Sequence, residues 1–100
     1  MVITQTEDNC NIIFRDDLTI FQVEEFQKEI LTQANFAKAV TVDLSAVEEM
    51  DSAGIQLLLS LTKEAKNCGS AMTINHFSNK AEECLSLFSL DNIVNQTVEE

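Results

Sequence analysis

Residues 51–54, with the sequence Asp-Ser-Ala-Gly, combine a carboxylate, a hydroxyl and two small residues in one short segment. The segment follows an apolar run at positions 40–44 and precedes a helical pattern that begins at Ile55. The N-terminus of a helix offers unpaired N–H donors and the positive end of the helix dipole. A serine hydroxyl at that point can therefore cap the helix, and it can also carry a phosphate that the helix end tolerates well.

Capping alone explains only part of this segment. As an N-cap, Ser52 would accept a hydrogen bond from the backbone N–H near Gly54 or Ile55, which contributes about 1 kcal/mol. Position 55 is Ile rather than Glu or Gln, so the segment is not a capping box. Glycine in the first helical turn costs about 1 kcal/mol relative to alanine. We therefore expect close packing against Gly54, or another molecule that approaches its backbone.

Ser52 and His76 could supply the nucleophile and the base of a serine hydrolase, and acidic residues are plentiful. The Gly-x-Ser-x-Gly elbow of many such enzymes is absent, because position 50 is Met. His76 follows an apolar run and is explained more simply as a polar residue at the end of a strand. The chain also lacks a Gly-x-x-x-x-Gly-Lys phosphate loop. These observations favour a protein that is not an enzyme.

Carboxylates near the same loop could hold magnesium, since such sites use acids at strand ends: Asp43, Glu48, Glu49 and Asp51. A solvated acidic loop explains Glu48 and Glu49 better. A zinc site would need clustered cysteines and histidines, but the chain has one histidine and three scattered cysteines, Cys10, Cys68 and Cys84. We predict no metal and no cofactor, and reduced thiols of the kind found in cytosolic proteins.

The charge of the chain limits its partners. Of 100 residues, 17 are acidic and 6 are basic, which gives a formal net charge of −11. Direct binding to nucleic acid requires a basic patch and is not expected, and an anionic membrane surface is disfavoured for the same reason. A basic protein partner, or a partner that merely tolerates acidic charge, remains open.

The sequence predicts neither a membrane-spanning helix nor a secretory signal. The longest apolar run, at 57–59, is far shorter than a membrane span of about 20 residues. Positions 1–8 show no basic segment followed by an apolar one, so no secretory signal is expected. We predict a cytoplasmic protein that does not insert into membranes.

Apolar spacing divides the chain into short strands and helices. Runs at 2–6 and 10–14 predict an N-terminal hairpin, and residues 18–20 predict a short third strand. Further strands are predicted at 40–44, which is β-branched and central, and at 71–74. A first helix is indicated by residues at helical spacing, namely Val23, Phe26, Ile30 and Ala34.

Two more helices follow. The second is predicted from about 52 to 68, with Gly69 as its stop and with a buried stripe formed by Gly54, Leu57, Leu58, Leu61, Ala65 and Cys68. The last begins at a cap, Ser78 or Asn79, and carries Ala81, Cys84, Leu85 and Phe88. The final apolar contacts are assigned to Leu90, Ile93 and Val94, and Glu99–Glu100 is expected to fray.

The resulting order is β-β-β-α-β-α-β-α. Strand–helix–strand units require crossover connections, which are right-handed in nearly all proteins. We predict an α/β fold in which a mixed sheet of four or five strands carries its helices mainly on one face. At this length the chain is expected to form one domain over residues 1–100.

The run Val-Asp-Leu-Ser, a short loop, and Met-Asp-Ser-Ala-Gly-Ile at 50–55 resemble the signature of the STAS domain. Over essentially the whole chain, the element order is most similar to the stand-alone anti-sigma factor antagonists. The resemblance implies the STAS fold, and it implies that Ser52 is phosphorylated by a serine kinase that is also an anti-sigma factor. In that family the unmodified domain binds this partner, phosphorylation releases it, and a phosphatase resets the cycle.

The partner surface is expected around the start of the second helix. At 100° per residue, the buried stripe leaves Ile55, Leu59 and Thr62 on one flank, where they could form an exposed apolar patch. Alternatively, Ile55 and Leu59 pack beneath a neighbouring helix. The predicted partner-binding residues are Asp51, Ser52, Ala53, Gly54, Ile55, Leu59 and Thr62.

A second hypothesis follows from the same resemblance. Stand-alone STAS proteins also occur as cytoplasmic subunits of lipid-transport ABC complexes, where the helix that begins near Ser52 would dock on the ATPase without a phosphate cycle. Members of that group often have threonine at the matching position, so Ser52 favours the signalling role.

Overall fold

Four strands and three helices alternate along the part of the chain that the computed structural model describes, residues 1–87. The elements are β1 (Val2–Gln5), β2 (Asn9–Ile13), α1 (Val23–Gln33), β3 (Ala39–Leu44), α2 (Ser52–Asn67), β4 (Met72–Phe77) and α3 (Asn79–Leu87). The predicted residues Phe88, Leu90, Ile93, Val94 and Glu99–Glu100 lie outside this range.

The four strands form one mixed sheet in the order β1-β2-β3-β4. β1 and β2 form the predicted antiparallel hairpin, while β2–β3 and β3–β4 are parallel and are joined through α1 and α2. β3 pairs on both sides, so the apolar run at 40–44 is an inner strand, as its β-branched composition predicts.

The core lies between one face of this sheet and the helices. Side chains of successive strand residues point to opposite faces. Alternate residues of the inner strands are buried, as Val40, Val42 and Leu44 of β3 show. The buried residues of all three helices belong to the same core cluster. The prediction of a mixed sheet with helices mainly on one face is confirmed.

The predicted third strand at 18–20 is wrong. Leu18 makes an isolated parallel bridge with Met50, and the chain then turns. The N–H groups of Gln22 and Val23 both donate to the carbonyl oxygen of Thr19, which starts the turn into α1. Apolar residues at 18 and 20 give the alternating pattern of a strand. The turn at Thr19 follows Leu18 directly, so the segment is too short to form a ladder of strand hydrogen bonds.

β4 is longer than predicted, because it continues through a bulge. Val42 pairs with Ile74 and Asp43 pairs with His76, so Asn75 is an extra residue. The bulge shifts the alternation by one residue and places Phe77 opposite Leu44, against the core. His76 therefore lies within the strand rather than after it, which corrects the prediction.

The ends of the last two helices follow local signals. Gly69 has φ of +80°, and the N–H of Ser70 donates to the carbonyl of Ala65 at 2.8 Å, so the predicted stop of α2 is confirmed. Cys68 was assigned to the buried stripe, but it lies at the helix end and is exposed. The Ser78 hydroxyl accepts a hydrogen bond from the N–H of Ala81 at 3.1 Å and so caps α3.

None of the helices within residues 1–87 combines the length and the apolar character that crossing a bilayer requires.

Candidate functional site

Asp51, rather than Ser52, caps α2. One carboxylate oxygen of Asp51 accepts hydrogen bonds from the N–H groups of Ala53 and Gly54, at 2.9 and 3.3 Å. Its backbone is extended, whereas Ser52 is the first helical residue. Of the two roles open to Ser52, capping is taken by Asp51 instead, because Asp51 precedes the first helical residue and its carboxylate reaches the free N–H donors of the first turn.

The second carboxylate oxygen of Asp51 holds the loop before α1. It accepts a hydrogen bond from the N–H of Ile20 at 3.0 Å. Nearby, the N–H of Asp51 donates to the carbonyl of Leu18 at 3.2 Å. The loop at 18–22 and the start of α2 are thus fastened together by backbone and carboxylate groups.

Gly54 allows these two segments to come so close. A Cβ atom at position 54 would lie 2.5 Å from the carbonyl oxygen of Leu18 and 3.0 Å from the Leu18 Cβ. A non-bonded contact of 2.5 Å is not tolerated without a backbone shift. The expectation of close packing at this glycine is confirmed, and the packing partner is the backbone of the loop at 18–22.

The Ser52 hydroxyl is exposed at the first turn of α2. Within residues 1–87 it makes no hydrogen bond, because Asp51 takes the capping role. A hydroxyl in this position is accessible from solvent and beside the positive end of the helix dipole. It is therefore suited to modification.

An open cleft of about 400 Å³ lies beside Ser52, between α1 and α2. It is lined by Ile20, Val23, Gln27, Ser52, Ala53, Gln56, Leu57 and Ser60. The wall is part apolar and part hydroxyl or amide, with no charged side chain among these residues. A partner that enters the cleft would therefore contact Ser52 directly.

The flank of α2 that was predicted to bind a partner is divided by the structure. Ile55 is only 4% exposed and belongs to the core, whereas Leu59 is 40% exposed. Thr62 is half-buried and donates its hydroxyl proton to the carbonyl of Leu58 at 2.9 Å. Of the two interpretations of Ile55, the structure supports packing within the fold, since Ile55 belongs to the core cluster.

Asp43 and His76 face each other across β3 and β4. Burial acts to raise the pKa of Asp43, but hydrogen bonds from the hydroxyl and N–H of Ser45, together with the nearby His76, outweigh it and hold that pKa below its ordinary value. His76 is not among the residues that line the cleft beside Ser52. A Ser52–His76 hydrolase pair therefore has no support in this geometry.

Two of the four acids near the loop, Asp43 and Asp51, make hydrogen bonds within the fold, whereas Glu48 and Glu49 are exposed. Asp43 accepts a hydrogen bond from the N–H of Ser45, and both oxygens of Asp51 are occupied by backbone donors. Across residues 1–87 there is no group of three or more His, Cys, Asp or Glu side chains that could hold a metal ion.

Cys84 is buried next to the loop that precedes α2. Its thiol is 3.7 Å from the carbonyl oxygen of Met50. Burial, and next the charge of Asp51, raise the pKa of this thiol, although Lys80 opposes the shift. A buried thiol with a raised pKa stays protonated and is a poor nucleophile.

Two exposed apolar residues beside the cleft were missed. Ile20 is 64% exposed and Phe21 is 89% exposed. The sequence pattern assigned Ile20 to a strand at 18–20 and began the helical stripe at Val23, so neither Ile20 nor Phe21 was considered as a surface residue. The available signal was Phe21, a large apolar residue that belongs neither to the predicted strand nor to the helical stripe.

The geometry defines an α/β domain with a four-stranded mixed sheet, helices on one face, and an exposed serine where the second helix begins. A family model described as "Mlab, STAS domain" matches residues 1–95. The chain therefore belongs to the STAS domain family.

Solved structures agree on the fold. The chain is similar to a candidate anti-sigma factor antagonist from Thermotoga maritima, with a TM-score of 0.81, 24% identity, and coverage of 93% of this chain and 81% of that one. An anti-sigma-factor antagonist (STAS) domain protein from Planctomyces limnophilus gives a TM-score of 0.78 and 23% identity, over 92% and 84% of the two chains.

The anti-sigma factor antagonist SpoIIAA, in its unphosphorylated form, gives a TM-score of 0.74 and 16% identity, over 95% of this chain and 93% of that chain. At such identities these likenesses establish the fold alone.

Proposed function

We propose that this protein is a non-enzymatic, phosphorylation-controlled binding switch in the bacterial cytoplasm. Without phosphate, the surface around Asp51–Gly54 and Leu59 binds a serine kinase of the anti-sigma type. Phosphorylation of Ser52 releases the partner, and a phosphatase restores binding. The observation that carries the proposal is that the Ser52 hydroxyl is exposed and unused at the start of α2, while Asp51 caps the helix.

A phosphate on Ser52 would cost the fold little. The hydroxyl gives up no hydrogen bond within residues 1–87, and the start of α2 attracts negative charge. The carboxylate of Asp51 opposes this attraction, but both of its oxygens are already held by backbone N–H donors. The modified chain should therefore keep its structure.

The same phosphate would cost a docked partner much more. A phosphoserine carries about −1.5 to −2 charges, and it would stand in a cleft of about 400 Å³ whose lining residues include no basic side chain. Burying this charge without a counterion is strongly unfavourable. The switch thus acts at the surface of an unchanged fold.

Phosphorylation is the first test. The chain is incubated with ATP and the anti-sigma-type kinase of its own genome, and the products are measured by intact and peptide mass spectrometry. We expect one phosphate, on Ser52, and none on Ser52→Ala. The matched control is Ser60→Ala, which removes another exposed hydroxyl from the same cleft and should accept phosphate like the unmodified chain.

Binding to the same kinase is the second measurement. Ser52→Ala should bind like the unmodified chain even after incubation with ATP, while Ser52→Asp should bind at least about tenfold more weakly. Asn67→Asp adds the same charge at the far end of α2 and should have little effect. Equal affinity of Ser52→Ala, Ser52→Asp and Asn67→Asp for the kinase would contradict the proposed switch.

A second candidate is a subunit of a lipid-transport ABC complex that docks on its ATPase. It is kept because the matching family model bears a different name, Mlab, from the anti-sigma factor antagonists among the solved structures. Stable co-purification with an ABC ATPase, unaffected by Ser52→Asp, would favour this candidate over the switch.

A further inference from the structure

Ile20 and Phe21 form an apolar pair that projects from the surface next to Ser52. Phe21 is 89% exposed and Ile20 is 64% exposed. Ile20 lines the cleft that contains Ser52, and it also lines a second depression together with Phe21, Glu24, Glu25 and Lys28. The pair therefore stands between the phosphorylatable serine and the charged start of α1.

The backbone that presents this pair is held in place. The N–H of Ile20 donates to Asp51 at 3.0 Å, and the N–H of Phe21 donates to the Thr19 hydroxyl at 3.4 Å. The side-chain carbonyl of Gln22 in turn accepts hydrogen bonds from the N–H and the hydroxyl of Thr19. A loop backbone that is already held in place loses less conformational entropy when a partner binds, which favours binding through the residues it presents.

The charges around the pair indicate the chemistry of its partner. Two acidic residues, Glu24 and Glu25, and one basic residue, Lys28, line the depression beside the pair. Glu24 and Lys28 form an exposed ion pair with an N–O distance of 4.0 Å. An apolar pocket bordered by lysine or arginine would match this arrangement.

The same charges disfavour two other occupants. A second copy of the chain carries a net charge of −11. Residues 88–100 of the chain itself contain Asp91, Glu99 and Glu100 and no lysine or arginine. Either would add negative charge next to Glu24 and Glu25.

We infer that Ile20 and Phe21 are the apolar contact that supplies most of the affinity for the partner protein, and that they insert into an apolar pocket bordered by basic side chains. The inference rests on the proposed function, since it concerns the same partner. Phe21 supplies affinity, while Ser52 controls whether the cleft can be filled. Because Glu24 and Glu25 do not line the cleft with Ser52, the basic border of the partner lies over α1 and does not neutralise a phosphate.

The test measures affinity for the anti-sigma-type kinase and, separately, for the ABC ATPase. Phe21→Ser and Ile20→Ser should each weaken binding at least about tenfold, as expected for buried contacts that dominate an interface. Glu24→Gln with Glu25→Gln should weaken binding at low salt and reduce its salt dependence. The matched control is Leu31→Ser, which removes another exposed apolar side chain, 55% exposed, further along α1.

The outcomes separate this inference from the proposed function. If Ser52→Asp loses affinity for the kinase but Phe21→Ser binds it like the unmodified chain, the inference is overturned and the switch stands. If Phe21→Ser binds more weakly but Ser52→Asp binds like the unmodified chain, the inference is supported and the switch is overturned. If the unmodified chain binds neither partner, both are overturned.

A fluorescence experiment tests the other occupants. The chain contains no tryptophan, so Phe21→Trp introduces a single reporter. We expect emission typical of water-exposed tryptophan in the free chain and a blue shift when the kinase is added, after subtraction of a parallel titration with the unmodified chain. Blue-shifted emission in the free chain would mean that the chain itself or a second copy covers the pair, which overturns the inference.

Discussion

The two carboxylate oxygens of Asp51 accept hydrogen bonds from two different parts of the chain. One caps α2 through Ala53 and Gly54, and the other holds the N–H of Ile20 in the loop at 18–22. Ser52, the adjacent residue, does neither and keeps its hydroxyl exposed. At the residue scale, Asp51 therefore stabilises the fold, while the neighbouring Ser52 hydroxyl stays accessible for the phosphorylation that we propose.

This division predicts different stabilities for two alanine variants. Asp51→Ala removes the cap and the bond to Ile20, so the free energy of unfolding should fall by about 1–2 kcal/mol. Ser52→Ala should change it by less than about 0.5 kcal/mol, because no hydrogen bond is lost. Urea denaturation measures both, and Asp51→Asn, which retains a capping oxygen, is the control. A larger loss for Ser52→Ala than for Asp51→Ala would contradict the assignment of the cap.

At the scale of elements, the start of α2 and the loop at 18–22 behave as one unit. The loop backbone crosses α2 at Gly54, and Leu18 bridges to Met50 immediately before the helix. This unit presents Ser52 and Ile20 to the same cleft, with Phe21 next to Ile20. The relative position of Ser52 and Ile20 therefore depends on how closely these backbones pack.

Gly54→Ala should destabilise this unit. Alanine favours a helix by about 1 kcal/mol over glycine, but its Cβ would lie 2.5 Å from the Leu18 carbonyl oxygen and would force the loop outward. Overpacking of this kind costs about 1–3 kcal/mol, so we expect a net loss of stability. Ser60→Ala, at an exposed site in the same helix, is the control and should be neutral or slightly stabilising. Both are measured by urea denaturation, and a gain for Gly54→Ala would show that the loop yields easily.

At the scale of the whole molecule, acidic charge dominates. The formal net charge is −11, and the described residues show two ion pairs, Met1–Asp16 and Glu24–Lys28, each with an exposed carboxylate. Exposed ion pairs contribute little, whereas self-repulsion acts against the compact state. The same repulsion favours a basic partner over a second copy of the chain.

Moderate salt should therefore stabilise the fold. Raising sodium chloride from about 10 to about 150 mM shortens the Debye length from about 30 to about 8 Å, so repulsion between surface carboxylates is screened. We expect the free energy of unfolding by urea to rise over this range at pH 7. Near pH 4, where carboxylates take up protons, the effect should shrink. A fall in stability with salt at pH 7 would mean that favourable pairs outweigh the repulsion.

Most elements could be predicted from local patterns, because periodicity of 2 or 3.6 residues is a property of neighbouring residues. The hairpin, the inner strand at 40–44 and the stop of α2 at Gly69 were all predicted. The strand predicted at 18–20 does not form, and β4 extends beyond its predicted end. The turn at Thr19 and the bulge at Asn75 depend on contacts with Met50 and β3, which the local pattern does not contain.

The sequence by itself determined the N-terminal hairpin and the alternation of helices and strands from the first helix onward, the acidic net charge, and the position of a serine at the start of a buried helix. Only the tertiary structure decided that Asp51 caps the helix, that Ile55 is buried while Leu59 is exposed, and that Ile20 shares a cleft with Ser52. The physical reason is that capping, burial and exposure depend on which distant backbone packs nearby. Here that backbone is the loop at 18–22, which Gly54 allows to approach and Asp51 holds.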